Sequence, residues 1–251
     1  MSLTDAFGVR ERECVAIVGG GGKTTIMYRL AAEAAARDRR AVVGGTTRFT
    51  PPRLGPTPPL VIIDEAADPT GTVTTALRDH RVVICATGRG DKGRWLPLSP
   101  AQADALAATP EIGLLALEAD GSRNRPFKAP GEAEPVIPAS ATLVLVVVGL
   151  DVIGRPLNEA WVHRPERVAD LAAVSSGEPV TAACVARVLL HAAGGRKGVP
   201  AGARWLPVLN KAEPERRAAG EEIARLLRQG GAEAVALTCA EAAEPVVALL
   251  R

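Results

Sequence analysis

The sequence is poor in cysteine, and this scarcity limits the chemistry that the chain can hold. Only four cysteines occur, and no two of them have the CxxC spacing that is typical of zinc and redox motifs. Because three of the four lie in apolar segments, we interpret them as buried free thiols rather than metal ligands. They are Cys14, Cys85, Cys184 and Cys239. Free thiols are typical of a reducing compartment, which favours a cytoplasmic protein.

Long apolar runs and an excess of one charge are also missing. The longest apolar run, residues 143–148, is far shorter than the ~20 residues that span a bilayer, and residues 1–13 lack the apolar core of a signal peptide. The formal net charge is +2, and the arginines are scattered rather than gathered in a tract. We therefore expect no membrane and no nucleic acid as partner.

Residues 15–25, VAIVGGGGKTT, are the most informative stretch of the chain. Residues 15–18 predict a buried strand, a run of glycines ends it, and apolar residues at helical spacing follow. Such a loop lets backbone N–H groups converge on an anion, and the helix N-terminus adds partial positive charge. We predict a phosphate-binding loop for a nucleotide, formed by Gly19, Gly20, Gly21, Gly22, Lys23, Thr24 and Thr25.

In this loop Lys23 would reach the terminal phosphates, and the Thr24 hydroxyl would ligate Mg²⁺. The usual motif has glycine, four residues and then Gly-Lys-Ser/Thr, and its first glycine would fall at Ile17, where it is missing. The shorter form GxxGKTT at residues 19–25 resembles the loop of Mur ligases and related nucleotide enzymes. A glycine-rich turn without a role for the lysine is the alternative.

Two carboxylates end the apolar segment at residues 113–123, GLLALEADGSR. Glu118 and Asp120 have the period-two spacing that puts both side chains on one face of a strand. Like charges so placed are unfavourable without a nearby cation, so we predict a magnesium or catalytic role rather than a solvent-facing pair. The predicted catalytic residues are Lys23, Glu118 and Asp120, and the predicted metal ligands are Thr24, Glu118 and Asp120. The sequence does not say which carboxylate binds the metal.

Other polar residues are candidates for contacts with a second substrate. Thr46 and Thr47 follow a predicted strand at 40–45, where they would contact phosphate or Mg²⁺ or simply form a β-turn. Arg123 and Lys128 lie in the proline-broken segment 123–138, which we expect to be irregular and to contact an anionic substrate. His163 is either a helix-entry residue or an active-site contact. Residues 50–59 predict a stiff proline-rich loop, either a flap over the site or a surface loop. Residues 87–95 predict a basic, glycine-rich loop that either contacts phosphate or is solvated, and we favour the solvated loop.

A base-recognition motif is predicted at residues 205–213, WLPVLNKAE. Asn210, Lys211 and Glu213 resemble the NKxD motif with Glu in place of Asp, so the choice between ATP and GTP stays open. The Thr238-Cys239-Ala240 segment after the last predicted strand resembles the short base loop that accompanies such a motif.

Alternating strand and helix patterns predict an α/β fold, a three-layer P-loop NTPase-like domain with a mainly parallel sheet flanked by helices. We expect residues 1–251 to form a single nucleotide-binding domain. Ser99, Pro100 and Gln102 predict a capped helix start. The predicted helices cover residues 24–39, 99–109, 179–193, 214–228 and 241–250.

The ordered motifs VGGGGKTT, LEADGSR, FKAP, EPVIP, GLDVIGRPL with VHR, and LNKAE resemble the selenium-dependent hydroxylase accessory proteins, the YqeC family. The resemblance covers nearly the whole chain. It implies a cytoplasmic P-loop-type protein involved in maturing molybdenum hydroxylases, with such a hydroxylase or its cofactor-maturation proteins as partner.

Three functions follow from these patterns. The first is an enzyme that depends on Mg²⁺ and a nucleoside triphosphate, either a hydrolase or a phosphotransferase. The second is a nucleotide-switched binding or chaperone-like factor with little turnover of its own. The third is a Mur-like ATP-dependent ligase, against which the short chain argues.

Overall fold

The computed structural model describes residues 1–52 and 55–251, in which strands and helices alternate along the chain. The strands are β1 (Glu13–Gly19), β2 (Ala41–Gly45), β3 (Leu60–Ile62), β4 (Val82–Ala86), β5 (Gly88–Arg89), β6 (Trp95–Leu96), β7 (Leu114–Glu118), β8 (Phe127–Lys128), β9 (Leu143–Gly149), β10 (Val162–His163), β11 (Arg204–Asn210), β12 (Val235–Thr238) and β13 (Val246–Leu250). The helices are α1 (Leu3–Ala6), α2 (Lys23–Ala35), α3 (Thr70–Asp79), α4 (Pro100–Ala108), α5 (Pro165–Ala172), α6 (Ala182–Leu190) and α7 (Pro214–Gln229).

Within the described residues, nine strands form one sheet in the order β13-β12-β11-β9-β1-β7-β2-β4-β3. All neighbouring strands are parallel except the β12–β13 pair. The chain builds β2, β3, β4 and β7 on one side of β1 and β9, β11, β12 and β13 on the other. Open α/β sheets bind ligands at the carboxyl ends of the strands where the chain changes direction in this way. The fold therefore points to the end of β1.

Two apolar cores lie on the two faces of the sheet. In β1, Val15 and Ile17 face the core that α1 and α2 cover, whereas Cys14, Ala16 and Val18 face the core that α3 to α7 cover. This alternation follows from the period-two geometry of a strand. Helices on both faces of a mainly parallel sheet give three layers, so the predicted fold class is confirmed.

Local sequence signals at several element ends are confirmed. The N–H of Gln102 donates to Ser99 Oγ at 3.2 Å and the N–H of Ser99 donates to Gln102 Oε1 at 3.0 Å, which is the predicted capping box of α4. All four cysteines are free thiols, and Cys14, Cys85 and Cys184 are buried. In the part of the chain that the structure describes, no helix is long and apolar enough to cross a membrane.

The predicted helix at residues 241–250 is wrong, because β13 occupies its second half and pairs antiparallel with β12. Pro245 ends any helix that would run through it, and Val246 and Val247 favour a strand once a partner edge is present. The edge of β12 supplies that partner.

Two segments predicted as irregular contain short strands. β8, inside residues 123–138, pairs with β10, and residues 87–95 form most of the β5–β6 hairpin. β8 is ordered by pairing with β10, which lies outside residues 123–138, and β5 by pairing with β6, which begins at the end of residues 87–95. In the proline-rich segment 50–59, Arg53 and Leu54 lie outside the described residues.

Candidate functional site

The glycine loop, residues 19–22, connects the end of β1 to the start of α2. A Cβ atom added to Gly21 would lie 2.3 Å from the backbone nitrogen of Gly149, and one added to Gly22 would lie 2.2 Å from Asn210 Nδ2. Both glycines also have a positive φ, of 80° and 131°. Only glycine fits these two positions. Gly22 is the N-cap of α2 and has no side chain to cap the helix, so an anion would satisfy the first-turn N–H groups.

Lys23, the first residue of α2, is buried and charged. Its Nζ donates to the carbonyl oxygen of Gly19 at 2.7 Å and lies 3.3 Å from Asp120 Oδ1 and 3.5 Å from Glu118 Oε1. Burial by itself lowers the pKa of Lys23, but Asp120 and then Glu118 outweigh it and raise that pKa. Glu118 and Asp120 were predicted to require a nearby cation. Lys23 supplies that positive charge.

Asp120 is enclosed by groups of the protein itself. Its carboxylate accepts hydrogen bonds from the N–H of Gly19, at 2.9 Å to Oδ2, and its Oδ2 lies 3.0 Å from Lys128 Nζ. Because Lys23 lies on its other oxygen, the side chain of Asp120 is only 3% exposed. Asp120 thus holds the end of β1 to β8, and it lines none of the three described cavities that border Thr24 or Thr25.

The chain of charges continues through Lys128. Its Nζ donates to the carbonyl oxygen of Gly121 at 2.6 Å and to Glu134 Oε2 at 2.7 Å, and Arg164 Nη1 donates to the same Glu134 oxygen at 2.9 Å. Burial raises the pKa of Glu134, but Arg164 and Lys128 outweigh it and lower that pKa to about 2. We call this set the charge network: Lys23, Asp120, Lys128, Glu134 and Arg164.

Glu118, the last residue of β7, borders open space instead. Its Oε2 accepts a hydrogen bond from Thr24 Oγ1 at 2.9 Å, and both residues line one cleft. Hydroxyl and carboxylate oxygens are donors that Mg²⁺ prefers, so the pair fits this ion. In residues 1–52 and 55–251, no three His, Cys, Asp or Glu side chains form a ready-made metal cluster. A magnesium ion here would take its other ligands from phosphate and water.

Among the cavities that border the start of α2, two lie beside the predicted site residues. The first, which we call the base-side pocket, has a volume of about 520 Å³, and its lining includes Gly22, Thr25, Asn210, Lys211, Glu213 and Ala240. The second, which we call the arginine cleft, has a volume of about 230 Å³, and its lining includes Thr24, Glu118, His163, Arg48, Arg94, Arg123 and Arg164. The base-side pocket is lined by charged residues of both signs and by apolar residues, whereas the arginine cleft is strongly cationic.

Asn210 ties the glycine loop to the neighbouring strands. Its Nδ2 donates to the carbonyl oxygen of Gly21 at 2.9 Å, and its Oδ1 accepts from Thr238 Oγ1 and from the N–H of Ala240, both at 3.0 Å. With these three hydrogen bonds, the buried side-chain amide of Asn210 is bonded to other groups of the protein. Asn210 therefore shapes the wall between the glycine loop and the base-side pocket.

The other two residues of the predicted base motif lie on the wall of the same pocket. Lys211 Nζ pairs with Asp151 Oδ2 at 2.5 Å, and the Glu213 carboxylate pairs with Arg216. The structure thus brings Asn210, Lys211 and Glu213 together beside the glycine loop. A base that bound to Glu213 would compete with Arg216.

The predicted substrate contacts divide into two groups. Arg123 and His163 line the arginine cleft next to Thr24. Thr46 and Thr47 instead hold backbone: Thr46 Oγ1 donates to the carbonyl oxygen of Val136 at 2.5 Å, and Thr47 Oγ1 donates to that of Glu118 at 3.4 Å. Lys128, whose side chain is only 2% exposed, belongs to the charge network.

Sequence reasoning missed four residues of this region: Arg48, Arg94, Glu134 and Arg164. Arg48 directly follows Thr46 and Thr47 after the carboxyl end of β2. Because α/β sheets bind ligands at this end of their strands, the position of Arg48 could have indicated a ligand contact. Arg94 reaches the cleft from the β5–β6 hairpin, and Arg164 from the start of α5. Arg94 belongs to the basic segment 87–95, for which phosphate contact was the less favoured alternative, and no local pattern indicates the placement of Arg164.

Electrostatics of the arginine cleft affect His163 directly. Burial, then Arg164, Lys128 and Arg123, lower the pKa of His163 to about 4, while Glu134 opposes them. The imidazole is therefore neutral at pH 7, and the surrounding field is positive.

Comparisons with known proteins identify the family of this chain. The family model described as YqeC protein matches residues 15–166, which contain the glycine loop, the acidic strand and His163. A curated protein of Escherichia coli (strain K12), described as uncharacterized protein YqeC, is 30% identical over 237 residues, covering 93% of this chain and 90% of its own length. No solved structure matches the chain. The chain belongs to the YqeC family.

Proposed function

We propose that this YqeC-family protein binds a nucleoside triphosphate, ATP or GTP, together with Mg²⁺. The observation that carries the proposal is the hydrogen bond between Thr24 and Glu118, which lies beside the buried, charged Lys23 at the start of α2. A helix N-terminus, a lysine and a hydroxyl–carboxylate pair are the groups that recognise a magnesium-bound polyphosphate.

Each residue has a distinct role in this proposal. The first-turn N–H groups of α2 and Lys23 bind phosphate oxygens, and the phosphate replaces part of the contact that Lys23 makes with Gly19 and Asp120. Thr24 and Glu118 hold the metal, whereas Asp120 stays in the charge network. Bound Mg²⁺ would neutralise charge on the phosphate oxygens.

The base lies in the base-side pocket in this proposal. The pocket borders Gly22 and Thr25, so a ligand there is continuous with one on the first turn of α2. Its volume of about 520 Å³ falls within the ~300–1,000 Å³ range of small-molecule sites. Lys211 and Glu213 contact the base from the pocket wall.

The proposed activity is hydrolysis or transfer of the terminal phosphoryl group, with Glu118 orienting the nucleophile.

A nucleotide-operated switch is the second candidate, and the packing of the glycine loop favours it. A Cβ on Gly20 would lie 2.4 Å from the carbonyl oxygen of Arg125, and one on Gly21 would lie 2.3 Å from Gly149. Because two other loops touch the glycine loop so closely, a nucleotide that moved it would move them as well.

The physiological role that we propose is accessory: maturation of selenium-dependent molybdenum hydroxylases. Its support is family membership together with the resemblance of the ordered motifs.

Nucleotide turnover by the protein alone, compared with turnover in the presence of a molybdenum hydroxylase or its cofactor-maturation proteins, separates the enzyme from the switch. Multiple turnover by the protein alone supports the enzyme, and turnover that requires the partner supports the switch.

Calorimetric titration with ATP, GTP and CTP, with and without Mg²⁺, tests nucleotide binding. We expect Lys23→Met to weaken binding by about 2–4 kcal/mol, or ~30- to 700-fold, because the phosphates lose a buried charge partner. Lys92→Met, which removes an exposed lysine of the β5–β6 hairpin, is the matched control and should bind as the wild type does. Absence of nucleotide binding by the wild type would refute the proposal.

A further inference from the structure

The arginine cleft gathers positive charge from four separate segments of the chain. Arg48 follows β2, Arg94 belongs to the β5–β6 hairpin, Arg123 follows β7, and Arg164 precedes α5. Convergence of four cations on a cleft of about 230 Å³ is unfavourable through like-charge repulsion unless anions are present.

The carboxylates of the protein neutralise only part of this charge. Arg164 pairs with Glu134 at 2.9 Å, and Glu118 accepts from Thr24. Among the described residues, none of Arg48, Arg94 and Arg123 has a carboxylate oxygen within 4.0 Å, and all three side chains are exposed. Three guanidinium groups are therefore available to a ligand.

Backbone strain is concentrated at the same cleft. Three of the seven non-glycine residues with positive φ in the described chain line it: Arg123 at 50°, Asn124 at 61° and Arg164 at 63°. Left-handed conformations are unfavourable for residues with a Cβ and occur preferentially at functional sites. In the arginine cleft, two of the residues in this conformation, Arg123 and Arg164, line the same cavity.

We propose that the arginine cleft binds a second substrate, a small molecule that carries a phosphate or carboxylate group. Arginine forms bidentate hydrogen bonds with both groups. The cleft is smaller than the ~300 Å³ at which sites for whole drug-sized ligands begin, so it takes an anionic group rather than a second nucleotide. Because Thr24 and Glu118 also line it, the bound anion lies next to the phosphate end of the nucleotide; this placement rests on the proposed function.

The test is a calorimetric titration with inorganic pyrophosphate and, separately, with citrate. It is done on wild type saturated with Mg²⁺ and a non-hydrolysable nucleotide, and on nucleotide-free Lys23→Met, in which the glycine loop has lost its lysine. The cleft variant is Arg94→Gln/Arg123→Gln. Its matched control is Arg78→Gln/Arg89→Gln, which removes two exposed arginines that do not line the cleft.

We expect the cleft variant to bind at least one of the two probes ~10-fold or more weakly than wild type, because charge-assisted hydrogen bonds are lost. The control should match wild type. Equal affinity in the cleft variant and wild type, or no binding of either probe by wild type in the millimolar range, would overturn the proposal. Loss confined to pyrophosphate assigns a phosphate group, and loss confined to citrate a carboxylate.

The two backgrounds separate this inference from the proposed function. If wild type binds no nucleotide, the nucleotide proposal fails, but the titration of Lys23→Met still decides whether the cleft binds an anion. If nucleotide binds and neither probe is sensitive to Arg94 and Arg123, only the cleft proposal fails.

Discussion

The charge network and the arginine cleft share a border but use charged side chains in opposite ways. In the charge network, Lys23 and Lys128 each contact at least one carboxylate at 3.3 Å or less. In the arginine cleft, Arg94 and Arg123 contact none among the described residues. Enclosed pairs fix the shape of the glycine loop, whereas open cations are available to a ligand. Glu118 stands at the border between the two regions.

The largest effect on stability should follow a change in the charge network. Asp120→Asn leaves Lys23 and Lys128 buried with less compensating charge, so we expect a loss of about 3–5 kcal/mol in the free energy of unfolding. Urea denaturation measures this change. The control is Asp79→Asn, the same substitution at an exposed position at the end of α3. A loss below about 1 kcal/mol, the usual value for a surface pair, would show that Asp120 is not enclosed as described.

A smaller and different effect is expected at the border residue. Glu118→Gln removes a carboxylate that we propose as a metal ligand, so the affinity for Mg²⁺ in the nucleotide complex should fall at least ~10-fold. Nucleotide affinity without Mg²⁺ should change little. Titration of Mg²⁺ at fixed nucleotide measures both, and Glu132→Gln, at an exposed position, is the control. Unchanged Mg²⁺ affinity in the variant would mean that Glu118 does not hold the metal.

The pH dependence of stability reports on the surroundings of His163, which lines the arginine cleft close to the charge network. His163 has a pKa of about 4, below the ordinary 6.5, so the unfolded chain takes up its proton first as the pH falls. Stability present at pH 7 should therefore be lost between about pH 6.5 and pH 4, and His163→Gln should flatten this part of the curve. Urea midpoints across this range, with NMR titration of the imidazole, provide the measurement. A midpoint near 6.5 for His163 would contradict the burial of the imidazole and the positive charge around it.

The smallest effect on stability should come from the arginine cleft itself. Arg94→Gln/Arg123→Gln removes two exposed cations without partners among the described residues, so the free energy of unfolding should change by no more than about 0.5 kcal/mol. Urea denaturation of this variant beside Asp120→Asn gives the contrast directly. A loss comparable to that of Asp120→Asn would place these arginines in the structural framework.

Much of the fold could be predicted because its signals are local. The buried strand before the glycine loop, the capping box at Ser99 and the long apolar β9 all depend on residues that are neighbours in sequence. β13 was mistaken for a helix because its strand state depends on pairing with β12, which no property of residues 241–250 reveals. A helix boundary also differs from the prediction: α2 ends at Ala35, before the predicted residue 39, and the chain turns at Asp38, whose φ is 62°.

The candidate site could be predicted only in outline. Lys23, Glu118 and Asp120 were singled out by residue type and spacing, but the different surroundings of the two carboxylates depend on Lys128 and Thr24. Those contacts arise from β8 and α2, which pack at the end of the sheet from distant parts of the chain. Arg123 and His163 were predicted as substrate contacts, but the arginine cleft as a whole escaped prediction because its cations come from four segments.

The most direct test of this account is a crystal structure of the protein with Mg²⁺ and a non-hydrolysable nucleoside triphosphate. We expect the phosphates on the first-turn N–H groups of α2 and Lys23, the metal on Thr24 and Glu118, and the base in the base-side pocket, with Asp120 still bonded to Gly19 and Lys128. A nucleotide bound away from the glycine loop, or a metal held by Asp120 instead of Glu118, would contradict the account.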